Sequence, residues 1–117
     1  MSVVRPEDCF TLPLPGTSPL VGTSEVSYGT VPTEKNCRVI YGIIINNHYT
    51  TAENTVTIRQ YKNATLEQEW AFIVSPGGTL SFIRSKETPI LVIPAGREIK
   101  VVASNASATV LLMCYDR

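Results

Sequence analysis

The residues able to do chemistry in this chain are few and scattered. His48 is the only histidine, set in the polar stretch Asn46-Asn47-His48-Tyr49-Thr50. A metal centre of the kind carried by some jelly-roll enzymes needs several histidines converging with a carboxylate, which one histidine cannot supply. A nucleophile-base pair would need a serine and a carboxylate such as Asp8 or Asp116 to meet His48 in space. No Gly-x-Ser-x-Gly elbow marks such a site. Glu67 and Glu69, two apart on an expected strand, would share one face. Glycosidase carboxylates instead flank the sugar from opposing positions about 5–9.5 Å apart. Pro76-Gly77-Gly78 has neither the lysine nor the helix start of a phosphate loop. The sequence therefore predicts no catalytic residue, no metal ligand and no cofactor.

The three cysteines, Cys9, Cys37 and Cys114, form no Cys-x-x-Cys pair and stand without histidine at ligand spacing. They read as small buried hydrophobes, with a Cys37–Cys114 bridge between neighbouring strands as the alternative. Asn63-Ala64-Thr65 and Asn105-Ala106-Ser107 match the glycosylation pattern but read as turns.

Two groups of residues are better suited to contact than to catalysis. Residues 1–19 hold Pro6, Pro13, Pro15 and Pro19, along with Val3, Val4, Phe10, Leu12 and Leu14. Proline fixes φ and removes a donor, so this stretch is neither helix nor central strand. Its apolar residues predict an extended arm lying in a groove of its own subunit or a neighbour's, with those five side chains as partner contacts. Tyr49 and Tyr61, near expected loops, are candidates for exposed aromatic contact. Trp70 reads as core with Phe72 and Leu66 on its face.

The elements that position these residues are strands. Residues 37–46 (CRVIYGIIIN) are β-branched and apolar on both faces, as in a central, doubly covered strand. Residues 25–31, 55–61, 67–74, 79–84, 90–93, 97–104 and 108–115 complete a set of about seven or eight strands. Lys62-Asn63-Ala64-Thr65 is a hairpin turn and 84–88 a charged turn. Val74-Ser75-Pro76-Gly77-Gly78 and Val92-Ile93-Pro94-Ala95-Gly96 repeat a strand-end, proline-glycine corner. The one helical candidate, 64–71, merges into β-rich sequence and is read as strand. The expected fold is all-β: a two-sheet antiparallel sandwich, jelly-roll-like, over residues 20–117, preceded by the arm.

Composition narrows the partners. The 117 residues carry ten basic and ten acidic side chains, net charge zero, and only 17% charged residues. Arg59, Lys62, Arg84, Lys86, Arg97 and Lys100 are dispersed among acids, which argues against nucleic acid or an anionic membrane as partner. No apolar run approaches the ~20 residues of a membrane helix, and the N-terminus lacks a signal-peptide core. The expectation is a soluble protein, cytoplasmic unless viral.

The series VIYGIIINN, NTVTIRQY, VSPGGTLSF, PILVIPAGREIKVVAS and ATVLLMCYD resembles small β-sandwich structural proteins of virions. These are the head-decoration, cement, head-fibre and tail-associated proteins of tailed phages and related viruses. The resemblance covers about two-thirds of the chain and implies a non-enzymatic assembly role in the virion. It implies contacts with copies of itself, a trimer favoured by the arm, and with a capsid or tail protein. A carbohydrate-binding or receptor-adhesion module using Tyr49, Tyr61 or Trp70 is the competing expectation.

Overall fold

The computed structural model describes residues 8–14 and 16–117. Ten strands follow in order: β1 (Cys9–Leu12), β2 (Leu20–Val21), β3 (Val26–Thr30), β4 (Cys37–Asn47), β5 (Asn54–Lys62), β6 (Thr65–Val74), β7 (Thr79–Ile83), β8 (Leu91–Pro94), β9 (Glu98–Ala103) and β10 (Ala108–Asp116). One sheet runs β1-β10-β4-β7, with β2 also on β10 and β8 also on β4; the other runs β3-β9-β5-β6. Every pairing is antiparallel. The two sheets pack face to face, so the protein is an all-β sandwich.

Alternation drives the packing. On β5, Val56 and Ile58 are fully buried while Thr57 and Arg59 face out; on β9, Ile99, Val101 and Ala103 repeat the pattern. Ile40, Ile43 and Ile45 of β4 and Val110, Leu112 and Cys114 of β10 oppose them across the core. Tyr28, from the smaller sheet, donates its hydroxyl to Val110 O at 2.7 Å and ties the two layers. Burial holds that phenol above its ordinary range. The proline-glycine corners are where the chain changes sheet, 75–78 from β6 to β7 and 95–97 from β8 to β9, with positive φ at Gly77 and Gly96.

The strand count exceeds the expected seven or eight, and both extra strands lie at or beside the arm. Cys9-Phe10-Thr11-Leu12 contains no proline and can form a ladder, and it pairs with β10 from Cys9 opposite Tyr115 to Leu12 opposite Leu112. Leu20 and Val21 continue along the same edge opposite Thr109 and Ala108. The groove occupied by the described arm strand is therefore in its own sheet.

The ladders shift register at three places, Ser27/Thr30 in β3–β9 among them, and the other two redirect side chains of interest. Between Met113 and Cys114 the partner on β4 jumps from Gly42 to Ile40, leaving Tyr41 as the extra residue. Ile40 and Ile43 then both face the core, while Tyr41 and Gly42 both face outward. A Cβ on Gly42 would stand 2.7 Å from Met113 Sδ and 3.0 Å from its Cβ, so glycine is what lets Met113 lie across the strand. The second bulge, at Gln60/Tyr61, places Leu66 opposite Tyr61 and leaves Glu67 over. This corrects two sequence readings. Leu66 leaves the face of Trp70 and is 44% exposed. Glu67 turns to the inner row, where its Oε1 accepts from Gln60 and Arg97, while Glu69 stays outside on Arg59.

A second, smaller core forms on the outer side of the larger sheet. Cys37, Val39, Tyr41 and Tyr115 are buried there, with Cys9 and Met113 against them. The chain between β7 and β8, residues 84–90, supplies the cover. It is held at its feet by Arg84 N to Tyr41 O (2.7 Å) and Ile90 N to Ile40 O (2.9 Å), and Tyr115 donates to Lys86 O at 2.8 Å. The apolar character of both faces of β4 is thus met, in its first half, by the segment read as a charged turn.

Candidate functional site

The residues singled out for chemistry do not meet. His48 follows β4, exposed, with Nε2 2.6 Å from Thr109 Oγ1. Asp116 sits at the other end of β10, about 23 Å of strand from Thr109. Its carboxylate takes Arg38 Nε at 2.7 Å and Nη2 at 3.0 Å. Asp8 precedes β1, which begins opposite Tyr115, and so also lies at the Asp116 end. Among the described residues, no three His, Cys, Asp or Glu side chains cluster in a way that could hold a metal ion.

None of the three cysteines is in a disulfide. Cys114 faces the main core and Cys37 the outer small core, so the sheet itself separates them and rules out the Cys37–Cys114 bridge. Burial pushes the Cys114 thiol up to about 12. Tyr41 is likewise pushed up to about 12, by burial first and then by its hydrogen bond with Cys9.

Tyr49 and Tyr61 are held at opposite ends of the sandwich. Tyr49 is 37% exposed in a loop fixed by a buried amide pair. Asn47 Oδ1 accepts from Tyr49 N and Asn54 Nδ2, and Asn47 Nδ2 reaches the carbonyls of Ala52, Val74 and Ser75. Asn54 in turn holds both N and O of Asn105. Three connections, 48–53, 75–78 and 104–107, are stapled together this way, and Gly77 N donates to Tyr49 O.

Tyr61 lies about 23 Å along β5 from that end. Its hydroxyl donates to Glu25 Oε2 at 2.7 Å and Lys100 Nζ sits 4.6 Å from its ring centre. The Glu25 carboxyl is held below the usual range, chiefly by Tyr61 and then by Arg59. The two tyrosines cannot form one stacking platform.

Of the arm residues, Val3 and Val4 lie outside the described residues. Phe10 is half-buried over the Arg38 guanidinium at 4.9 Å, Leu12 is buried in the sandwich's own core, and Leu14 is 56% exposed. Trp70 and Phe72 are half-buried against the main core.

The two outer faces of the sandwich differ in kind. The β3-β9-β5-β6 face carries ion pairs toward its Tyr61 end, while Thr55, Thr57, Ala71 and the 64% exposed Ile73 occupy the other end. Arg59 bridges Glu25 and Glu69 at 3.0 Å each, Lys100 stands 4.0 Å from Glu98, and Ser27 donates to Glu98. The other face carries no charge on any outward strand position among the described residues. Its rows are Leu20, Thr109, Asn46 and Thr79; then Leu111, Ile44 and Ser81; then Thr11, Met113, Gly42 and Ile83. Ile83 is 58% and Leu20 54% exposed, and Val92 on β8 is 44% exposed. Charges stand at its rim, on residues 84–90 and on Arg117 beside Cys37 at one end, and His48 bonds Thr109 at the other.

This face was not singled out in the sequence. Its signal was present, since neither VIYGIIINN nor ATVLLMCY contains a charged residue. The class of protein defined by these observations is a two-sheet antiparallel β-sandwich with ion pairs on one outer face and, among the described residues, no charged outward strand position on the other. No protein-family model matches the chain, and no curated protein is similar to it. No helix among the described residues is long and apolar enough to cross a membrane.

Proposed function

We propose that this protein is a non-enzymatic structural protein that works by assembling with copies of itself. The observation that supports the reading is the uncharged, partly apolar outer face of the larger sheet, where the outer face of the smaller sheet carries the ion pairs of Glu25, Arg59, Glu69, Glu98 and Lys100. Contact surfaces are depleted of charge at their centres, whereas a face meant for water alone has no reason to be. A virion position, as a capsid decoration or a tail- or fibre-associated component touching a capsid or tail protein, is the finer form of the proposal. It draws on the likeness of the strand series to such proteins. Three copies were expected from an arm reaching a neighbour, but its described strand, Cys9–Leu12, lies in the chain's own sheet. Light scattering on the eluting protein tests the reading: a mass that rises above one chain with concentration supports it, and a monomer throughout overturns it.

The competing reading is a carbohydrate-binding module, and Tyr49 on its stapled loop is the observation in its favour. It predicts glycan-array binding that Tyr49→Ala abolishes.

A further inference from the structure

We infer that the outer face of β10, β4 and β7 pairs with the same face of a second copy about a two-fold axis. The inference rests on the assembly reading and names its partner and symmetry. Charge selects the occupant. Laid on the smaller sheet's outer face in another copy, this surface would cover Glu25, Arg59, Glu69, Glu98 and Lys100 with apolar side chains and strip their water, which is costly even for paired charges. Laid on itself, it buries no charge, and an isologous contact needs only one self-complementary patch. The chain's zero net charge adds no long-range repulsion between copies.

The centre of the contact is Ile44 and Leu111, half-buried in the single chain, with Met113 drawn flat across Gly42. Ile83 and Leu20 stand highest, at opposite sides of the patch. With the β1–β2 edge beside β10 counted, four strand positions about 4.8 Å apart and five residues of about 3.4 Å give a footprint of roughly 330 Å² per copy. A standard interface buries about 800 Å² per partner, so the pair is weak and depends on concentration.

Sedimentation velocity from about 5 µM to about 1 mM, where weak pairs populate, tests this on the full chain. The wild type is expected to shift from one chain to two. Ile83→Lys and Leu111→Lys each place two ammonium groups in a two-fold contact and are expected to weaken the pair at least about tenfold. Thr57→Lys, on the smaller sheet's outer face, is expected to change it less than about twofold. Ile83 is mostly exposed, so Ile83→Lys folds as the wild type does, and an unchanged urea midpoint verifies it. A trimer, or a dimer indifferent to both face substitutions, overturns the two-fold face and leaves self-assembly standing. A monomer at every concentration overturns both.

Discussion

Arg38 and Asp116 join three strands at one end of the larger sheet, and removing one of them is the sharpest test of how that end is held. The guanidinium meets the carboxylate through two hydrogen bonds of 2.7 and 3.0 Å, with side-chain exposures of 8% and 13%. The Phe10 ring covers the cation at 4.9 Å. Replacing Arg38 with methionine keeps most of the aliphatic stem and leaves Asp116 charged and nearly dry. Breaking a buried pair this way costs about 3–5 kcal/mol, and the residual exposure here places the cost near 3. Against a total stability of about 5–15 kcal/mol, that is a large fraction. At about 4 °C per kcal/mol for a domain of this size, the melting midpoint falls by about 12 °C. The double replacement Arg38→Met with Asp116→Leu removes both charges and regains most of the loss. Urea denaturation followed by tryptophan fluorescence measures both. A single-variant loss below about 1 kcal/mol, or a double variant worse than the single, would refute the reasoning.

Three further outcomes follow from the packing and the ion pairs. Gly42→Ala is expected to cost about 1–3 kcal/mol, since the new methyl meets Met113, and Met113→Ala in the same chain relieves part of it by removing Sδ and Cγ while Cβ stays at 3.0 Å. Asn54→Leu removes the partners of Asn105 N and Asn105 O at a fully buried position. It is expected to cost at least about 2 kcal/mol and to speed hydrogen exchange at the Asn105 amide. Glu25 and Glu67 both have folded-state pKa values below the ordinary 4.5, held by Tyr61 with Arg59 and by Arg97 with Gln60. Their stabilisation is complete above that value and is lost as pH falls through the lowered folded-state values. Urea midpoints should therefore drop on acidification below pH 4.5, and drop less in Arg59→Gln and Arg97→Gln chains.

Strands β3 to β10 were legible because turn residues punctuate them and alternation orients most of their side chains. The hairpin at Asn63-Ala64 and the two proline-glycine corners read correctly for the same reason. Bulges were not legible. CRVIYGIIIN is apolar at nearly every position, so inserting Tyr41 changes no period that a reader could detect, and only Gly42 hinted at a close approach. On β6 a single extra residue sent Glu67 inward and Leu66 outward, reversing a reading that assumed strict alternation. The arm's prolines hid a four-residue strand, since Cys9–Leu12 carries none of them. The uncharged face was readable only once strand order was known. Leu111, Ile44 and Ile83 come from three separate parts of the sequence, and the ladder alone makes them neighbours.

The measurement closest to the central claim is the concentration dependence of backbone amide shifts across an isotope-labelled sample. Self-pairing through the uncharged face predicts shifts that grow with concentration at residues 42–46, 79–83 and 109–113, with β5 and β9 unchanged. Shifts that do not move, or that concentrate on β5 and β9 or on the loop around Tyr49, would contradict it.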